Sequence, residues 1–244
     1  MYVTNVSTAS ATDRKRRPLG FQDIGREHKR RFILQAAAAV FGAKGFHAAT
    51  VKNIAESAGI AHGTFYLYFK DKKDVYFALS HEFQSRIMEA ILPGGEAAVL
   101  AEGTDLPWLV RERLAGLARL FESEEALARV FVYRAAGTDP EFEERRLEFV
   151  GRVTDAIASV MQAGADQGFF RRHDPRVAAM CLVGSIEMVI ESWLHTLGKQ
   201  GRPALPEMMD EASRFFLPAL LPAREERRTA AAGRRAASAP GMRT

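Results

Sequence analysis

Residues 45–76 read GFHAATVKNIAESAGIAHGTFYLYFKDKKDVY, and the residues before them, 30–46, read RRFILQAAAAVFGAKGF. The spacing of apolar residues in the second stretch predicts a first helix from about Arg26 to Gly42, with Phe32, Ile33, Ala36, Ala37, Val40 and Phe41 on its buried face. Gly45 then permits a turn, and Phe46 returns the chain to the core. Thr50 is a good N-cap for a short second helix that buries Val51, Ile54, Ala55 and Ala58. Gly59 ends that helix where a left-handed residue is wanted, and Ile60 plugs the turn. A third helix is expected from about His62 to Phe69, burying Phe65 and Phe69 one turn apart, and a fourth starts near Lys72.

Two short helices around a glycine turn, packed on a longer one, form the arrangement that lays its second helix in a DNA major groove. Once Phe65 and Phe69 are assigned to the core, His62, Gly63, Thr64, Tyr66, Leu67 and Tyr68 remain outside. Gly63 allows close backbone approach, Thr64 can donate to a phosphate or a base, Leu67 can meet a thymine methyl, and Tyr66 and Tyr68 can bond phosphate oxygens. Thr50 with the free amides behind it forms an anion site at the start of the second helix, and Lys52 adds charge; Lys72 does the same at the start of the fourth. The competing readings are a small bundle whose aromatic residues merely pack, a Tyr66 half-buried in the core, and a His62 that is only solvated.

Over roughly residues 28–78 the chain resembles the DNA-binding domain of the TetR/AcrR family of regulators. Gly45-Phe46, Thr50, Ile54-Ala55, Ala58-Gly59, Gly63-Thr64, Tyr66, Tyr68-Phe69 and Lys72 all stand at that family's spacing. The resemblance implies phosphate contacts from Thr50, Thr64, Tyr66, Tyr68 and Lys72, and places His62, Gly63 and Leu67 near base edges. One departure is Ala61, where the family usually has Ser or Thr to cap the recognition helix.

Charge divides along the chain. Residues 1–73 hold 13 Lys and Arg against 5 Asp and Glu, a net of +8; residues 74–222 hold 15 against 23, or −8; residues 223–244 hold 6 against 2, or +4. A basic unit joined to an acidic body is expected when one part touches phosphate and the other does not. Residues 1–25 and 223–244 have no hydrophobic period and are expected to be disordered, the first a basic arm and the second an Ala/Arg-rich tail. The division expected is therefore 1–25, a helix-turn-helix domain at 26–73, a helical effector-binding and dimerisation domain at 74–222, and 223–244. The single cysteine, Cys181, forms no internal disulfide. With no signal-like leader and no run of about 18 apolar residues, a cytoplasmic protein that does not engage membranes is expected.

The body reads as helices over about 72–91, 105–121, 124–136, 140–168, 175–197 and 206–220, so the fold class is all-α. Trp108, Phe121, Phe131, Tyr133, Phe149, Met161 and Met188 are candidate lining for a pocket that takes an apolar or amphipathic small molecule. Arg134 would anchor a carboxylate, whereas Glu187 or Glu191 would favour a cation, and the sequence does not choose. Apolar residues nearly encircle the helix at 175–197. The resemblance implies that the last two helices pair with their copies in a homodimer, with Gly184 and Ser185 at the close approach and Met208, Phe215 and Phe216 supplying bulk. A dimer would read a palindromic operator, and the resemblance implies a repressor that a ligand releases from it. The rivals are an all-α enzyme with an apolar pocket and a nonspecific architectural DNA-binding protein. The six scattered histidines form no metal-ligand spacing, and no catalytic site, metal or cofactor is expected.

Overall fold

A computed structural model describes residues 25–95, 104–132, 139–195, 201 and 203–222. The expected arm (Gly25 apart) and tail, together with Tyr133 and Arg134, lie outside the described residues. Among the described residues the chain forms nine helices and no strand: α1 (Arg26–Ala48), α2 (Val51–Ser57), α3 (His62–Phe65), α4 (Lys72–Ile91), α5 (Leu106–Ser123), α6 (Glu125–Val132), α7 (Pro140–Asp166), α8 (Pro175–His195) and α9 (Leu205–Leu220).

Aspartates start several of these helices for the same physical reason, since a carboxylate accepts an orphan amide in the first turn and faces the positive end of the dipole. Asp71 accepts from the Asp74 amide at 2.9 Å, Asp105 from Trp108 at 3.1 Å, and Asp174 from Val177 at 2.9 Å. Proline follows at the beginning of α7 and α8, where its missing N–H costs nothing.

α1 runs on past the expected end, but Gly45 breaks its geometry with φ 76° and ψ 159°. That extended, positive-φ conformation is open to glycine and strained for other residues, and it turns Phe46 back onto the core. Five of the six residues expected on the buried face of α1 are buried, and at its edge Leu34 is buried in place of Phe32, which points outward. A broad apolar stripe tolerates either residue, and the tertiary neighbours decide.

One hydrophobic core runs from Ile33 and Phe41 of α1 through Val75 and Phe83 of α4 to Trp193 of α8 and Met209 of α9. The helix-turn-helix unit is joined to the body mainly where α1 crosses α6. A β-carbon at Gly42 would stand only 2.9 Å from Ala126 Cβ, so the crossing is close because glycine faces alanine. Tyr76 reinforces the joint from α4. Its hydroxyl donates to the Val130 carbonyl at 3.2 Å, and burial pushes the phenol pKa up.

Candidate functional site

The turn between α2 and α3 is built as the sequence suggests. Thr50 Oγ1 accepts from the Asn53 amide at 3.1 Å, Gly59 takes φ 64°, and the Ile60 amide closes onto Ala55 O at 3.0 Å. Ala61 caps α3 without a side-chain hydrogen bond. Regular helix ends at Phe65, four residues short of the expected Phe69. From there the Leu67 amide bonds Thr64 O and the Tyr68 amide bonds Phe65 O, so the last turn tightens to an i to i+3 pattern. Phe65 and Phe69 still reach the core. The shortening follows from the aromatic and β-branched residues of the segment, which are weak helix formers, and from burial that needs only those two rings inside.

Outside, Tyr66 is 51% exposed and Leu67 is 69% exposed. His62 packs edge-on against Tyr66 at 5.3 Å, while Tyr68 is half-buried against the core. His62, Gly63, Thr64, Tyr66 and Leu67 thus form one projecting ridge, with Lys52 solvated on the neighbouring helix and 3.9 Å from Glu56. Exposed large apolar side chains on a short ridge are the kind of surface that meets a partner.

Lys72 stands elsewhere. Its ammonium donates to the carbonyls of Phe46 at 2.9 Å, His47 at 3.1 Å and Ala49 at 3.0 Å, and it lies 4.6 Å over the Phe46 ring. An ammonium has three donors, and all three are spent on the end of α1. Lys72 ties the start of α4 to the residues leading into Thr50.

Lys73 points the other way, 2.6 Å from both Asp139 and Glu141 at the head of α7. Its hydrogen bonds hold both carboxyls below their usual range, and the carboxylates, Asp139 foremost, raise the lysine in turn. Beside this bridge Phe142 of α7 packs on Phe46 at 5.0 Å, Tyr76 at 4.5 Å and Phe77 at 5.0 Å. An aromatic cluster therefore connects α7 with the Gly45 bend. Neither contact was visible in the sequence, because the partners are more than 60 residues apart.

α7 also forms one wall of the body's apolar cavity, which holds about 150 Å³ among α4, α5, α6, α7 and α8. Of the expected lining residues, Phe121, Phe131 and Phe149 are there, joined by Ile87, Leu117, Val153 and Ile186. Three others belong elsewhere. Trp108 is 60% exposed on the outer side of α5, whose inward face is Leu106, Leu109, Leu114, Leu117 and Phe121. Met188 is exposed on the side of α8 opposite Ile186 and Ile190, and Met161 is buried near the far end of α7, beside Phe170 and Leu220. The cavity's charged groups are Arg146, Glu187 and Glu191. Arg146 is clamped by Glu143 at 2.9 Å and Glu187 at 2.6 Å, and these carboxylates, Glu143 first, push its pKa up.

The remaining face of α8 is apolar and exposed. Val177, Met180, Cys181, Gly184 and Met188 recur at helical spacing, and Phe215 of α9 is 77% exposed. Ser185 turns its hydroxyl back to Cys181 O, while Met208 and Phe216 are half-buried. α8 is long and apolar enough to cross a membrane, and 28% of its most apolar stretch is buried in the structure. Its composition follows from having a cavity side and an outer side that are both greasy.

Residues 33–79 match the family model described as bacterial regulatory proteins, tetR family. The fatty acid metabolism regulator protein of Bacillus subtilis is 26% identical over 167 residues, covering 66% of this chain and 81% of that protein. The transcriptional repressor AcnR of Corynebacterium diphtheriae is 27% identical over 173 residues, covering 71% and 83%. Among solved structures, the fatty acid degradation regulator FadR from Bacillus halodurans superposes with a TM-score of 0.65 at 24% identity, covering 80% of this chain and 96% of that one. FadR from Bacillus subtilis in complex with stearoyl-CoA gives 0.64 at 21% identity, covering 76% and 96%. Residues 33–79 thus match the DNA-binding domain of the tetR family of bacterial regulatory proteins, and the helical body behind them shares the fold of these regulators.

Proposed function

We propose that this regulator is a dimeric repressor that leaves a palindromic operator when an amphipathic ligand with an acyl chain enters the cavity of its body. The observation that carries the DNA half of this reading is the ridge at 62–68, where Tyr66 and Leu67 stand in solvent on a segment whose backbone is fixed by Phe65 and Phe69. His62, Gly63 and Leu67 are assigned to base edges, and Thr50, Thr64, Tyr66, Tyr68 and Lys52 to phosphates. Lys72 acts at one remove, by holding the α1 end so that Thr50 and the α2 amides face the backbone.

The exposed α8 face with Phe215 would be covered by a second copy, which sets two ridges about 34–36 Å apart for successive major grooves. The units are those of a helix-turn-helix at 26–73 and an effector and dimer domain at 74–222.

The acyl-chain assignment is supported by the cavity's lining and by the relatives, one a regulator of fatty acid metabolism and another structurally similar regulator bound to stearoyl-CoA. A cavity of about 150 Å³ is the size that holds a single benzene ring. A long chain must therefore make room by moving α7 or α8. Movement of α7 reaches Phe142, Asp139 and Glu141, and through them Lys73 and the Gly45 bend, which is how ligand volume becomes a change at the DNA ridge.

The test is footprinting on DNA flanking the gene, followed by release with fatty acyl ligands of increasing chain length. A protected palindrome released more effectively by longer chains is expected. Weak protection of all sequences alike would refute the specific regulator, and release independent of chain length would refute the wedge. Ile186→Trp, which fills the cavity, should keep the footprint and lose the release.

A further inference from the structure

Two flanks of the cavity differ in charge. Toward α7 and α8 the lining carries Glu187 and Glu191, with Glu143 behind them, against one Arg146 that is already paired twice. An anionic head group there would meet three carboxylates and a neutralised guanidinium. Toward α4 and α7 the wall is Phe149, and outside it lies a groove of about 660 Å³.

Arg152 stands in that groove, 5.5 Å over the Phe149 ring, with Nη2 donating to Gln84 Oε1 at 2.9 Å. These two contacts fix the guanidinium beside the cavity wall. Among the described residues Arg152 pairs with no carboxylate, so four of its five donors remain for a ligand. His81 and Ser85 line the same groove. Its other charge is Glu89, and the adjoining pocket that shares His81, Gln84 and Arg152 adds Arg145, which is paired with Glu141, the shared Arg146, and Glu148. The groove is also far roomier than a carboxylate needs.

We propose that the α4/α7 groove is the head-group site of the effector, that it takes a phosphate-bearing head group on Arg152, and that the acyl chain enters the cavity past Phe149. This rests on the acyl-chain reading above and adds which of two flanks is used and what chemistry is recognised there. Guanidinium recognises phosphate through paired, charge-assisted bonds, and this preference separates a phosphorylated acyl thioester from a free fatty acid. Phe131 and Phe149, packed edge to face at 5.7 Å, form the partition the chain must pass.

Binding of stearoyl-CoA, stearate and coenzyme A to the full chain and to Arg152→Gln, measured by calorimetry at two salt concentrations, tests this. Stearoyl-CoA is expected to bind more tightly than stearate and to weaken about tenfold or more in Arg152→Gln, with a flatter salt dependence, while Arg152→Lys recovers part of the loss. Arg152 is exposed, and an unchanged melting temperature checks that the variant is folded. Equal binding of stearoyl-CoA to wild type and Arg152→Gln overturns the head-group site and leaves the acyl-chain reading standing. Stearate binding as tightly as stearoyl-CoA does the same. If neither acyl ligand binds the wild type, the acyl-chain reading falls and this site with it.

Discussion

Gly42→Ala probes the crossing that joins the DNA-binding unit to the body. The added methyl would lie 2.9 Å from Ala126 Cβ, 3.3 Å from its Cα and 3.4 Å from its carbonyl oxygen. Carbon atoms settle at about 3.5–4.0 Å, and alanine has no rotamer by which to swing aside, so α1 and α6 must part by several tenths of an ångström. Overpacking of this kind costs about 1–3 kcal/mol. Against it stands the helix-propensity gain of alanine over glycine, about 1 kcal/mol. The clash outweighs the gain, and a net loss of about 1 kcal/mol lowers the melting temperature by about 2–4 °C in a chain of this size. Ala126→Gly in the same chain removes the opposing methyl, so the double variant should be more stable than the sum of the single changes by about 1 kcal/mol or more. Thermal unfolding by circular dichroism reads both numbers, and operator affinity by fluorescence anisotropy should fall with Gly42→Ala and recover in the double variant. A Gly42→Ala protein that melts higher than wild type by the full propensity gain would refute the reasoning, since α1 and α6 would then have slack between them.

The ridge predicts a division of labour: Leu67→Ala changes base preference at one operator position, and Tyr68→Phe weakens binding alike across operators, as a competition assay on an operator library would show. If Tyr68→Phe alone abolishes discrimination, the assignment of Tyr68 to phosphate is wrong. Lys72→Met leaves three carbonyls without their shared donor, so it should cost about 1–2 kcal/mol in a chemical-denaturation curve; a variant as stable as wild type would return Lys72 to a purely DNA-facing role. The Lys73 bridge gives a pH signature whose sign follows from the shifts. Asp139 and Glu141 are depressed in the folded chain, so their contribution is complete above the ordinary carboxylate range and is lost as pH falls through the lower folded values. Lys73 is raised, so its contribution is complete below 10.5 and fades above it. The melting-temperature advantage of wild type over Lys73→Met should thus be level from pH 9 to pH 5 and shrink below about pH 4; an advantage that grows on acidification would contradict the bridge.

What the sequence showed and what it hid separate by distance along the chain. Thr50 and Gly59 do their work within a few residues of themselves, and both were readable. Gly45 was readable as a turn, although the helix resumes beyond it. The phase of an element whose apolar residues cover more than half its surface was not readable. α8 buries Ile186 and Ile190 while exposing Met188, because apolar residues nearly all the way round give no unique inward direction, whereas the face of α1 was readable except at its edge, where Leu34 is buried in place of Phe32. The same breadth explains why Met188 looked like a pocket residue and stands on the outside. Contacts between elements were the least legible. Lys72 reads in sequence as a phosphate contact, Lys73 and Arg146 as solvent-facing charges, and only the fold brings them to the α1 carbonyls, to Asp139 and Glu141, and to Glu187. In the proposed response these three join the parts that would move. A local reading finds the ridge because its chemistry is contained in one turn, whereas the proposed coupling of cavity to ridge would run through pairs that sequence cannot see. The effector response should therefore be altered most by substitutions at charges that look unremarkable in the chain, and least by those at the exposed aromatic residues that first draw attention to the body.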